Sequence, residues 1–162
     1  MQISEKYQIK SRFLFVQENT GDTEQNHTFA KQAFSKESFL IESFSDGKLS
    51  GHILILPLFS KSKPHTKQAV LFSDLSYSTI SEAKSLIREG LMCSWEIGYK
   101  VAITTQCTDI FKVTGFSELP SNIFFSQTIS KNFGIIELSW DGIKKLSKDL
   151  IFPSSHNFES EN

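Results

Sequence analysis

The sequence is short of the features that announce whole classes of protein. It has no apolar run approaching the roughly 18 residues that a membrane span needs. Its first residues, Met1-Gln-Ile-Ser-Glu-Lys6, lack the basic stretch leading into an apolar one that marks an exported chain. A cytoplasmic protein is the expectation. Charge of one sign is missing too: 17 basic residues against 18 acidic leave a formal net charge of −1. Nucleic acid and anionic membrane surfaces, which demand a basic footprint, are therefore not expected partners.

Cysteine is scarce. Cys93 and Cys107 are too far apart for a Cys-x-x-Cys unit and have no metal-ligand spacing around them. They read as small buried thiols, and no metal site is expected. A Gly-x-Ser-x-Gly elbow, a Gly-Lys-Ser/Thr phosphate loop and a His-Glu-x-x-His helix are all absent, which argues against hydrolase, nucleotidase and zinc-protease chemistry. His27, His52, His65 and His156 lie in four separate regions. His52 alternates along an apolar strand and reads as a packed core or strand-face residue rather than a base.

What is present is an ordinary globular composition, 39% hydrophobic and 22% charged, on 162 residues, enough for one core. Phenylalanine stands out at 15 residues. It recurs in strand-like runs (Phe13, Phe15, Phe39, Phe44, Phe72, Phe124, Phe125) and reads as core packing by large rings.

Tyr7 to Val16 is rich in aromatic and β-branched residues and predicts a strand. Thr28 to Ser35 predicts a short helix from the spacing of Phe29, Ala30, Ala33 and Phe34. Ser38 to Ser45 and Leu49 to Phe59 flank Asp46-Gly47-Lys48, a strong hairpin signal because Asp and Gly accept the positive φ angles of a tight reversed turn. Ser60 to Lys67 is a basic loop, and Gln68 to Ser73 a further strand.

Thr79-Ile-Ser-Glu82 has capping-box spacing: the Thr hydroxyl meets the amide three residues on while the Glu reaches back. A helix starts there, with Ile80, Ala83, Ile87 and Leu91 as its buried stripe, Leu86 and Trp95 beside it, and Gly98 as its stop. Tyr99 to Thr105 predicts a strand, and Ile123 to Thr128 and Phe133 to Trp140 two more. The order predicts an α+β or mixed α/β domain over residues 1–152, its helices packed on one central sheet, followed by a polar tail over 153–162.

Several strings resemble the GNAT superfamily of acetyl-CoA-dependent N-acetyltransferases, and within it the small bacterial members. They are "DGKLSGHILILPLF" for a strand pair, "SLIREGLMCSWEIGYKVAI" for the central helix and the strand after it, "FKVTGF" for a Tyr-x-Arg-Phe-Gly-Phe segment, and "FGIIELSWDGIKKLSKDLIFP" for the close. The resemblance spans Ser38 to Phe158. It implies the GNAT acyltransferase fold, a mostly antiparallel sheet flanked by helices, with acetyl-CoA as acyl donor to a small-molecule or peptide amine. A homodimer through the C-terminal strands is implied as well.

In that family a Gln/Arg-x-x-Gly-x-Gly/Ala loop wraps the cofactor's pyrophosphate with backbone amides at the N-terminus of the central helix, where amides and helix dipole favour an anion. The pattern falls here on Ser78, Ser81 and Ala83, with Thr79 where a further glycine is usual. By the same resemblance, backbone amides near Phe72 and Ser73 polarise the thioester.

This stretch, "LSYSTISEAKSLIREGL", contains no glycine ahead of its helix. Hydroxyls of Ser and Thr can donate to phosphate, but their Cβ atoms crowd its approach, and Glu82 would compete for the same amides. Ile110 and Phe111 stand where many members have a proton-donating tyrosine, and Tyr77 precedes the cradle, so no catalytic residue is assigned. The alternative is a GNAT-fold protein that has lost catalysis and works as a ligand- or protein-binding module.

Overall fold

The computed structural model describes residues 7–13, 38–63, 66–119 and 133–152. The helix expected over Thr28 to Ser35, the strand expected over Ile123 to Thr128 and the tail from Pro153 lie outside them.

The chain forms β1 (Tyr7–Phe13), β2 (Phe39–Ser45), β3 (Lys48–Ser60), β4 (Ala69–Ser76), α1 (Ile80–Ile97), β5 (Val101–Thr104), α2 (Asp109–Val113), β6 (Ser117–Leu119), β7 (Phe133–Glu137) and β8 (Leu150–Ile151). One sheet has the order β1-β2-β3-β4-β5-β7-β6, with β8 pairing β3 off that path. The expected hairpin joins β2 to β3, with Asp46 at φ 54° and Gly47 at φ 79°, the left-handed pair that a tight reversed turn demands. Neighbours are antiparallel except β4 and β5, which run parallel because α1 carries the chain back to the same end of the sheet. The mixed, mostly antiparallel sheet is the one anticipated.

β4 alternates faces: Val70 and Phe72 point toward α1, Ala69 and Leu71 away from it. On the α1 side they meet Ile53, Ile55, Leu86 and Ile87, and Phe72, Phe111 and Phe116 stack edge to face with centroids 5.7 and 5.1 Å apart. On the other side Leu56, Leu58, Ile103, Phe133 and Phe152 close a second core. Of the phenylalanines expected to pack the core, Phe39 and Phe72 do so, while Phe44 is half-buried outside both clusters.

The stripe of α1 differs from the expected one. Ala83, Leu86 and Ile87 are buried, but Ile80 and Trp95 are each 58% exposed, and Gly90 and Ser94 take the buried positions instead. Space decides this: a Cβ at Gly90 would lie 2.9 Å from Phe72 Cε2, so the helix approaches the sheet at its smallest residue rather than its largest. The stop is as expected, with Gly98 left-handed at φ 116° and its amide donating to the Ser94 and Trp95 carbonyls. Three strand limits shift. β4 runs on to Ser76, β5 is confined to Val101–Thr104, and β7 ends at Glu137 because residues 139–146 fold into turns.

Candidate functional site

The site grows from a mismatch in strand length. β4 and β5 pair from Ala69↔Val101 to Phe72↔Thr104, and there β5 ends. β4 continues through Ser73, Asp74, Leu75 and Ser76 with its β5-facing edge open among the described residues. An extended, amide-bearing ligand can bond to that edge as an added strand would.

On its other edge β4 pairs with β3, Leu54↔Ser73 and His52↔Ser76, so β4 carries one residue more than β3 between the two pairs. The extra residue makes a bulge. Asp74 takes φ 55°, a left-handed conformation that a short polar side chain tolerates. The bulge turns Asp74 toward β3, where its Oδ2 lies 3.1 Å from His52 Nε2. Since a carboxylate only accepts, His52 Nε2 carries the hydrogen of this bond and a neutral ring is left with Nδ1 as its acceptor. His52 shares with Leu54 and Leu56 the sheet face opposite α1, and its side chain is 29% exposed.

At the end of β4 the chain turns into α1. Thr79 Oγ1 accepts from the Glu82 amide at 3.1 Å, the forward half of the expected capping box. The return half differs: Glu82 Oε1 accepts from the Ser78 amide at 2.6 Å, one residue further back than expected. The cause is burial. Glu82 is fully buried under Gly51, where a Cβ would come within 3.1 Å of its carboxyl carbon. Burial pushes the carboxyl up, but the Ser78 amide above all, then the hydroxyls of Ser43 and Ser50 and the Thr79 amide, outweigh it and hold the group below its ordinary value. Neither hydroxyl closes a hydrogen bond of good geometry, so Oε2 remains without a partner.

The loop hydroxyls are tied down as well. Ser78 Oγ lies 3.2 Å from Ser50 Oγ, and Thr79 Oγ1 lies 3.0 Å from the Tyr7 hydroxyl. Ala83 is buried and its amide donates to the Thr79 carbonyl at 3.0 Å, leaving the outward amides of Ile80 and Ser81 to meet an anion.

Along the chain, the open stretch of β4 that carries Ser73 leads to Ser78, Thr79 and Ser81 at the start of α1, and this path is the candidate site. Phe72 lies at the start of that path, its ring buried in the core, so only its backbone faces an arriving ligand. Phe111 is buried in the same core and Ile110 lies half-buried beside it, and neither side chain can donate a proton. Tyr77 is 42% exposed ahead of the cradle. Cys107 is buried and Cys93 half-buried. Among the described residues no cluster of metal-ligating side chains occurs and no helix is long and apolar enough to cross a membrane.

Sequence reasoning missed the His52 and Asp74 pair. The only local signal was an aspartate inside an otherwise apolar strand, at a position where a bulge re-aims it.

No protein-family model and no curated protein matches the sequence. Solved structures do. A GNAT family N-acetyltransferase of Escherichia coli, YhbS, solved with CoA, aligns with a TM-score of 0.63 at 16% identity over 92% of each chain. A GNAT family acetyltransferase of Brucella melitensis, solved with acetyl-CoA, aligns at 0.56 and 14% identity over 90% of this chain and 96% of that one. The open β4 edge, the bulge and the helix that follows are thus set in the fold of the GNAT-superfamily N-acetyltransferases.

Proposed function

We propose that this protein transfers an acyl group from an acyl-coenzyme A, acetyl-CoA in the first instance, to an amine. The observation that carries the reading is the open edge of β4 beyond Phe72, running directly into the anion-accepting turn of α1. When bound, the coenzyme supplies a thioester whose carbonyl carbon an amine can attack.

The chain's own residues fit that group in two places. The unpaired backbone of Ser73 to Ser76 suits the amides of a pantetheine arm. The amides of Ile80 and Ser81, with the hydroxyls of Ser78, Thr79 and Ser81, suit phosphate oxygens. Backbone amides near Phe72 and Ser73 polarise the carbonyl, the form of electrostatic help that acyl transfer needs most. His52, oriented by Asp74 on the face opposite α1, accepts the proton from the amine at Nδ1.

The buried carboxylate of Glu82 favours a second reading, a GNAT-fold domain that binds a ligand or protein without catalysis, because it already occupies one amide of the cradle. We also propose a cytoplasmic location and a homodimer joined through the C-terminal strands.

Calorimetric titration with acetyl-CoA, followed by thiol release against a panel of small and peptide amines, tests the reading. Saturable heat together with amine-dependent release is expected. Saturable heat without release for any amine would leave the binding-module reading, and no heat at all would refute the acyltransferase.

A further inference from the structure

At the opposite end of the sheet, where β4 and β5 both begin, the surface is a groove of about 460 Å³, within the range of small-molecule sites. Lys63, Lys67, Lys100, Lys144 and Lys145 line it, all exposed, and no carboxylate is among its described lining residues. Asp141 and Asp149, neighbours in sequence, do not line it. Asp149 is engaged by the Ser60 hydroxyl at 2.7 Å and the Ser62 amide at 2.9 Å. In a chain of net charge −1, gathering five ammonium groups in one groove costs mutual repulsion that dispersal would avoid.

The floor adds an independent observation. Gln68 is 5% exposed, and its Oε1 accepts from the Ser147 amide at 2.7 Å. That bond fixes the orientation of the side-chain amide, so Nε2 is a donor on the other side. It is buried and has no partner. A buried donor left unmade costs about 1–3 kcal/mol unless something accepts from it. The walls are fixed: a Cβ at Gly142 would lie 2.5 Å from the Lys100 carbonyl oxygen, so the turn carrying Lys144 and Lys145 packs directly on the start of β5.

We propose that this groove is a binding site for a small polyphosphate anion, with Gln68 Nε2 donating from the floor and the lysines neutralising the charge. The lining cations are all lysine and none is arginine. Ammonium groups are point charges that can meet the several oxygens of a polyphosphate from different sides of the groove. The site is remote from the β4 edge and independent of any acyl-transfer activity.

The test is calorimetry of the full chain with inorganic tripolyphosphate at low salt, with sulfate at matched ionic strength as control. Tripolyphosphate should bind, sulfate should bind at least tenfold more weakly, and affinity should fall as salt rises. Replacing Lys144→Ala and Lys145→Ala together, both exposed and harmless to folding, should weaken tripolyphosphate at least tenfold. Gln68→Met, with its fold checked by circular dichroism, should weaken it further than Lys144→Ala alone. Absence of binding, equal binding of sulfate, or unchanged affinity in the double variant would overturn the proposal.

Discussion

Asp74 owes its position to a conformation that most side chains avoid. Held at φ 55° by the bulge, it reaches His52 across the strand boundary. His52→Ala should lower kcat for amine acetylation by about 10²- to 10⁴-fold, the range of a lost general base, with little change in acetyl-CoA affinity. Asp74→Asn should lower it less, since the ring loses the carboxylate that orients it. Stopped-flow thiol release across pH reads both.

Glu82 is the other residue with two consequences. Its carboxylate sets a negative charge against the Ser78 amide, so Glu82→Gln, which keeps an acceptor there but removes the charge, should bind acetyl-CoA at least tenfold more tightly by calorimetry; an unchanged affinity would mean the charge is no competitor. The second consequence is for stability. The folded-state carboxyl lies below its ordinary value of 4.5, so its contribution is present above that pH and is lost as pH falls through the lower folded value. Urea unfolding of the wild type and Glu82→Gln should therefore show a stability gap that narrows as pH drops below about 4.5.

Elements explain what single residues cannot. α1 is held at its start by the Thr79 hydroxyl and in its middle by a missing side chain at Gly90. Thr79→Ala should cost about 1 kcal/mol. Gly90→Ala, whose new methyl would meet the Phe72 ring, should cost about 1–3 kcal/mol through overpacking despite alanine's better helix propensity. Chemical denaturation separates the two: the cap variant leaves the core intact, while the glycine variant should also alter near-ultraviolet dichroism. The helix itself was legible in the sequence, because capping residues and a terminal glycine are local signals. Which of its residues face the sheet was not, since hydrophobicity favoured Ile80 and Trp95 while the distance to Phe72 and Ile55 selected Gly90.

At the scale of the molecule, the hairpin at Asp46-Gly47, the long helix and the order of the elements from β2 to β5 were readable because each rests on contacts close in sequence. The bulge, the short strands β6 and β8 and the 139–146 turns were not, because they depend on what a partner strand supplies. For the same reason the sequence singled out Ser78 to Ala83 at the start of α1 but not the His52 and Asp74 pair on the opposite face of the sheet. The buried strands β3 and β4 and the middle of α1 should show the slowest amide exchange, and β1, β6 and β8 the fastest among the described strands, since these three pair on one side only.

The single parallel pair among the described strands has a consequence in time as well as in space. Pairing Ala69 with Val101 closes a loop that contains all of α1, whereas the β2 to β3 hairpin closes across two residues. Ordering a long crossover before its contacts exist is slow. The β2 to β3 pairing should therefore form faster than the β4 to β5 pairing, and pulse-labelled amide exchange during refolding reads the two separately.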